Sequence, residues 1–262
     1  MSDPRGQGAL DTFPRLLMHH AHQRPARPAM REKEFGIWQT YTWVEVATNV
    51  RAIACGLAEL GFKRGDRLAI VGDNRPRLYW SVAACQCLGG IPVMMYQDAV
   101  AEEMVYVLQD AEIKFAVVED QEQVDKLVEI KEQAPLLEHV IYDDARGMRH
   151  YAETFLLGLD ELQAMGIAHD RNQPDFLDGE IAKGQPDDIS VMLYTSGTTG
   201  KPKGVCQTHD AFIQSARGGC QFDTLTDQED ILSYLPMAWV GDHLFSYAQA
   251  MVSGFTINCP ES

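Results

Sequence analysis

Apolar side chains at Trp43, Val46, Ala47, Val50, Ile53, Ala54, Leu57 and Leu60 recur at helical spacing, and the stretch predicts an amphipathic helix. Its first residues, Thr42-Trp43-Val44-Glu45, have the form of a capping box, and Gly61 ends it. The uninterrupted apolar run Leu68-Ala69-Ile70-Val71 then reads as a strand buried on both faces. This unit repeats. A helix opens at Gly72-Asp73-Asn74-Arg75-Pro76 and runs to Leu88, where Gly89-Gly90 stops it ahead of a strand over 91–95. Helices over 102–109 and 122–131 lead to strands over 115–118 and 140–142. Alternation of this kind predicts an α/β fold, with mostly parallel sheets flanked by helices.

Outside this run the pattern is less regular. Residues 1–11 are polar and glycine-containing and read as a flexible arm. A short helix over 13–22 follows, then the proline-rich Arg24-Pro25-Ala26-Arg27-Pro28 forces extended chain into a hairpin with strands over 29–31 and 39–41. Residues 143–188 are acidic and dotted with proline, and read as a long surface connection holding one helix over 159–165. Beyond it come a strand over 189–194, a helix over 209–218, a strand over 231–235 closed by Pro236, a helix over 242–251 and a strand over 255–258.

The candidate chemistry lies between two of these elements. Tyr194-Thr195-Ser196-Gly197-Thr198-Thr199-Gly200-Lys201-Pro202-Lys203-Gly204-Val205 follows a strand directly. Glycines let backbone N–H groups approach an anion, short hydroxyls add donors, and lysines add positive charge, so the stretch suits a phosphate. A Walker loop would need glycine at position 195 and a hydroxyl residue at 202, where this chain has Thr195 and Pro202. Pro202 also keeps Lys201 away from helical angles.

With those residues in place, the stretch resembles the signature loop of the adenylate-forming (AMP-binding) superfamily, which includes acyl-CoA synthetases, firefly-type luciferases and peptide-synthetase adenylation domains. The resemblance extends from about Thr12 to Ser262. Gly65-Asp66-Arg67-Leu68-Ala69-Ile70 looks like the first core strand of that family, and Gly89-Gly90-Ile91-Pro92-Val93 like its next helix-to-strand turn. The wording around Asn74-Arg75-Pro76 and Leu235-Pro236 is most similar to bacterial long-chain acyl-CoA synthetases. The resemblance implies that Thr195, Ser196, Gly197, Thr198, Thr199, Gly200, Lys201 and Lys203 bind the phosphates of ATP, with Thr195 at the Mg2+. It implies that Leu235-Pro236-Met237-Ala238-Trp239 borders the acyl pocket, with Trp239 where many members have histidine and His243 one helical turn on. The implied reaction joins a fatty acid or other carboxylate to AMP and passes it to coenzyme A.

The adenine- and ribose-binding region, the Y-G-x-T-E-type motif and the lysine-bearing small domain of that family do not occur in these residues. Residues 12–262 are therefore expected to be a partial N-terminal AMP-binding domain, with 189–205 as its strand and phosphate loop, unable to complete adenylation alone. A non-catalytic protein that binds nucleotide or acyl ligands, and an adenylation domain that loads a carrier protein, are the competing readings.

Composition narrows the partners. The chain of 262 residues is 45% hydrophobic and carries a net charge of −16, with a pI near 4.8. Such a charge opposes binding to nucleic acid and leaves at most peripheral contact with a membrane. Six scattered cysteines fit a reducing cytoplasm better than a disulfide framework, and Cys85-Gln86-Cys87 reads as core packing. His19, His20 and His22 read as solvated surface residues. An incomplete sheet would leave an edge and an apolar face uncovered, so self-association into a homo-oligomer is expected.

Overall fold

The computed structural model describes residues 9–195 and 201–261. The chain runs α1 (Phe13–Gln23), β1 (Pro28–Glu34), β2 (Ile37–Thr42), α2 (Trp43–Glu59), β3 (Arg67–Val71), α3 (Pro76–Cys87), β4 (Ile91–Met95), α4 (Ala101–Asp110), β5 (Phe115–Val118), α5 (Gln121–Glu129) and β6 (His139–Tyr142). It continues with β7 (Leu156–Gly158), α6 (Leu159–Asn172), α7 (Phe176–Lys183), β8 (Ile189–Thr195), β9 (Lys203–Thr208), α8 (His209–Phe222) and β10 (Asp230–Leu232). The last elements are α9 (Val240–Asp242), a π-helical turn His243–Ala248, α10 (Gln249–Ser253) and β11 (Thr256–Cys259).

Two sheets form. Seven strands lie in the order β7-β6-β5-β3-β4-β8-β9, all neighbours parallel except the antiparallel pair β8–β9. Four more lie in the order β10-β11-β1-β2, where only the β1–β2 hairpin is antiparallel. The second sheet was not legible as separate, because β1 and β11 are more than 200 residues apart in sequence and pair only in three dimensions.

The alternation along each central strand explains why both faces are covered. Leu68, Ile70, Phe115 and Val117 point into one core with α2, α3 and the four-stranded sheet, while Ala69, Val71, Ala116 and Val118 point into the other with α4 and α5. Cys85 and Cys87 pack in the first core. At the start of α2 the capping box is present, with Thr42 accepting from the Glu45 N–H and the Glu45 carboxylate accepting from the Thr42 N–H at 2.7 Å. Arg75 fastens the two sheets at one edge: its guanidinium is 2.9 Å from Glu119 after β5 and 3.7 Å from Glu32 on β1.

Residues 143–188 differ from the surface connection expected. The helix expected over 159–165 is present but continues to Asn172 as α6, and the edge strand β7 and the helix α7 are additional; α6 and α7 bury Leu159, Leu162, Leu177 and Ile181. The cause is a close helix crossing. A Cβ on Gly166 would lie 1.7 Å from the Ala52 carbonyl, and one on Gly56 would lie 2.3 Å from the Leu162 carbonyl. Only glycine at both positions lets α2 and α6 approach backbone to backbone. Two further corrections concern the ends of the chain. Residues 10 and 11 of the expected arm are tied down, since Asp11 pairs with Arg15 at 2.6 Å and the Leu10 carbonyl accepts from Arg217; residues 1–8 lie outside the described residues. His20 is buried rather than solvated, its Nε2 2.7 Å from the Met251 carbonyl and its ring 4.5 Å from that of Trp43. Among the described residues no helix is long and apolar enough to cross a membrane.

Gly166→Val is expected to destabilise the fold by at least about 3 kcal/mol, as overpacking against backbone allows little relaxation, and urea unfolding of the variant measures it. Burial pushes the His20 imidazole down to about 4, against an opposing backbone hydrogen bond to Met251. Between pH 6.5 and 4 the unfolded chain therefore takes up a proton at this site that the folded chain does not, so the site favours folding above pH 6.5 and loses that contribution as pH falls. Relative to His20→Gln, the native protein should lose roughly 2 kcal/mol between pH 7.5 and pH 5, read from paired unfolding curves.

Candidate functional site

The seven-stranded sheet reverses its direction of winding at β3. The chain moves from β3 outward to β4, then crosses back to β5 on the other side. Ligands of open α/β sheets bind at the carboxyl ends of the strands near such a switch. Two features lie along that edge.

The first is the β8–β9 hairpin. β8 runs parallel to β4, with Met94 beside Leu193, so Thr195 emerges at the same edge as the end of β4. β9 returns antiparallel and places Lys203 directly across from Thr195. Both residues are exposed, as is Lys201. The Lys201 Nζ lies 5.3 Å from the centre of the Tyr106 ring on α4, a cation–π contact that holds one lysine beside the hairpin. Tyr194 anchors the base of the turn. It is buried, and its hydroxyl donates to the Asp110 carboxylate at 2.6 Å, which together with burial raises its ionisation well above the usual phenol range.

Of the residues expected to bind phosphate, Thr195, Lys201 and Lys203 are thus brought together; Ser196, Gly197, Thr198, Thr199 and Gly200 lie outside the described residues. The structure also corrects the extent of the loop. Residues 203–205 belong to β9, which sequence reasoning missed because Lys203 and Gly204 match turn chemistry better than a strand. An edge strand with one exposed face tolerates them. Among the described residues no cluster of three or more His, Cys, Asp or Glu could hold a metal ion. The Thr195 hydroxyl offers a single oxygen, which fits a Mg2+ that keeps most of its ligands from water and polyphosphate.

The second feature is a cavity of about 800 Å³ over the carboxyl ends of β3, β5 and β6, facing the β1–β2 hairpin. Ten carboxylate side chains and four basic ones line it, so it repels a polyphosphate. Asp143 sits in its wall, pushed up to about 7 by burial, with the Arg77 guanidinium acting in the opposite direction. Asp73 and Gln97 meet across the switch point at 2.6 Å.

The segment expected to border the acyl pocket divides in two. Trp239 is 49% exposed, whereas His243 is 3% exposed. The His243 ring packs against Phe212 at 4.7 Å, Tyr247 at 5.0 Å and Phe13 at 5.9 Å, and burial drives it down to about 3, with His209 adding to the shift. It is a core residue and does not reach an open border. The residue beside it was not singled out from the sequence. Asp242 is 1% exposed and accepts from Tyr79, Asn74 and Ser233 at 2.8–3.0 Å, an all-neutral set of donors; burial raises its ionisation and the hydrogen bonds oppose the rise. This knot joins α3, the residue after β10 and α9. The only local signal is a polar quartet at Asn74, Tyr79, Ser233 and Asp242, scattered over some 170 residues.

A sequence profile of the AMP-binding enzyme family matches residues 17–262. The chain is 28% identical over 256 residues to the long-chain-fatty-acid–CoA ligase FadD15 of Mycobacterium bovis, covering 95% of this chain and 40% of that protein. It is 30% identical over 222 residues to the long-chain-fatty-acid–CoA ligase ACSBG1 of Bos taurus, covering 83% of this chain and 30% of that protein. Among solved structures, the anthranilate CoA ligase AuaEII in complex with anthranoyl-AMP superposes with a TM-score of 0.81 at 19% identity, over 94% of this chain and 44% of that one. The inhibitor-bound N-terminal domain of FACL13 from Mycobacterium tuberculosis gives 0.71 at 21% identity, over 95% and 57%. The chain spans 30–40% of the length of FadD15 and ACSBG1 and 44% of AuaEII, whose fold it shares. The profile covers nearly all of the chain, which therefore belongs to the AMP-binding enzyme family.

Proposed function

We propose that this chain is the nucleotide-handling N-terminal part of an ATP-dependent ligase that activates a long-chain fatty acid as its acyl-adenylate and transfers the acyl group to coenzyme A. The observation that carries the reading is the β8–β9 hairpin, which sets Thr195 and Lys203 opposite each other at the carboxyl edge of a parallel sheet, with Lys201 alongside. The choice of a fatty acid and of coenzyme A rests on the names of the relatives at 28–30% identity. Since the chain spans 40% of FadD15, turnover is proposed for the whole protein that contains it.

The chemistry needs charge neutralisation, because a carboxylate must attack the α-phosphate of a polyanion. Mg2+ bound with ATP would supply part of that neutralisation. The chain's own share is electrostatic and positional. Lys201 and Lys203 offset charge on the phosphates as pyrophosphate departs, and Thr195 offers its hydroxyl to the same group. Both lysines stand in the open on a protein of net charge −16, which makes the hairpin a local basic exception. The acidic cavity on the same edge discourages the nucleotide from binding over β5 and β6.

Fatty-acid-dependent exchange of labelled pyrophosphate into ATP tests the reading. The whole protein should catalyse exchange that grows with the chain length of the acid, and Lys203→Ala should raise the KM for ATP roughly tenfold, the effect of losing one charge-assisted phosphate contact. Absence of exchange with every carboxylate would overturn it.

A further inference from the structure

β8 carries one residue more than its partner strand. Val191 faces Gln207 and the pairing continues in step to Thr195 opposite Lys203, yet Ile189 faces Thr208, so Ser190 is a bulge with no partner on β9. Ser190 is fully buried, and its carbonyl needs a donor from elsewhere. Gln86, in the last turn of α3, supplies one. Its Nε2 donates to the Ser190 carbonyl at 2.8 Å, and its Oε1 accepts from the Tyr247 hydroxyl at 2.7 Å. The Ser190 hydroxyl donates in turn to the Gln207 carbonyl on β9 at 3.1 Å.

Gln86 is only 3% exposed and stands between the two core cysteines Cys85 and Cys87. A primary amide donates on one side and accepts on the other, which is what a bulge carbonyl and a buried phenol together require. An apolar side chain of similar size would leave both unpaired. The chain could then satisfy the Ser190 carbonyl by drawing it into the ladder, and the hairpin would shift by one residue. A shift of one residue reverses which face each side chain occupies. Thr195 would no longer stand opposite Lys203.

We propose that Gln86 is a positioning residue of the phosphate hairpin: by holding the bulge at Ser190 it fixes the β8–β9 register that brings Thr195 and Lys203 face to face. Its consequence for ATP rests on the function proposed above, whereas its consequence for register does not. Gln86 touches neither the nucleotide nor the acid.

Two readouts separate these. Met192 is the Cα partner of the exposed Cys206, so Met192→Cys should give a cross-strand disulfide on mild oxidation with oxidised glutathione. Adding Gln86→Leu should lower the yield of that crosslink about tenfold, because the two sulfurs no longer meet. In the whole protein, Gln86→Leu should raise the KM for ATP roughly tenfold while the KM for the fatty acid stays within about twofold.

Gln86→Glu supplies the control for a merely structural defect. Protonated, the carboxyl can donate to the Ser190 carbonyl as the amide does; ionised, it can only accept. Its ATP KM, compared with the native protein at each pH, should therefore return toward the native value as pH falls and worsen as pH rises. Ionisation of the buried carboxyl also destabilises the fold as pH rises, but that loss of active protein lowers the apparent kcat rather than raising the KM. The same variant at low pH carries the test if Gln86→Leu fails to fold. An undiminished crosslink in folded Gln86→Leu overturns the proposal. Loss of the crosslink with an unchanged ATP KM overturns its catalytic half. Loss of the crosslink in a protein that shows no use of ATP overturns the proposed function and upholds the register role.

Discussion

Every interior strand must satisfy two neighbours at once, and β8 does so with neighbours that run in opposite directions. Toward β4 it forms a parallel ladder with slanted, evenly spaced hydrogen bonds; toward β9 it forms an antiparallel one. A parallel neighbour requires a long crossover, whereas an antiparallel one can follow after a short loop. The chain uses this difference to end the parallel sheet with an antiparallel partner, and the ends of β8 and β9 that face each other there, Thr195 and Lys203, lie at the carboxyl edge. The bulge at Ser190 lies at the far end of the same strand, where β8 begins its pairing with β9.

The rest of the fold holds that edge in place. α3 lies between the two sheets, with Leu78, Val82 and Cys85 in the shared core, Arg75 gripping Glu119 at its start and Gln86 reaching β8 near its end. Tyr79 on the same helix stacks on Tyr247 with centroids 6.2 Å apart and planes 7° apart. One helix thus touches the switch point, the π-helical turn and the hairpin strand. Extra turns of π-helix often mark functional sites, and this one directs His243 inward while Phe245, two residues on, is half exposed.

Local signals determined how much of this could be read in advance. The elements from α2 to β6 were legible because helical spacing, the Thr42–Glu45 cap and the glycine stops agree with the tertiary packing. In the region 143–188 only the first half of α6 was, because the apolar stripe of that helix is narrow: it buries Leu159 and Leu162, and its continuation depends on Gly166, a residue that argues against a helix in isolation. β9 was hidden by the same residues that made the loop conspicuous. Of the candidate site, the anion-suited residue types at Thr195, Lys201 and Lys203 stand in the sequence itself, and the structure adds that Thr195 and Lys203 face each other. The supports were not legible, since Asn74, Asp242, Gln86 and Ser190 are ordinary polar residues whose defining pairs, Asn74 with Asp242 and Gln86 with Ser190, join positions more than 100 residues apart.

Charge distribution then ties fold to function. A protein with an excess of 16 negative charges meets a polyanionic substrate only where local geometry outweighs the long-range field. Screening makes this feasible, as the field of distant carboxylates fades over about 8 Å at physiological ionic strength. What matters is the first shell around the ligand. At the hairpin that shell contains two lysines, and the nearest acid that the structure shows engaged there, Asp110, is occupied by the Tyr194 hydroxyl. Over β5 and β6 the shell is acidic, and Arg75 and Arg77 are already committed to Glu119 and Asp143. The two halves of one sheet edge are therefore electrostatically unlike. Under the proposed function, a polyphosphate that approaches this edge would be directed to the side where β8 gives way to β9, and its placement there would depend on the register of that pair.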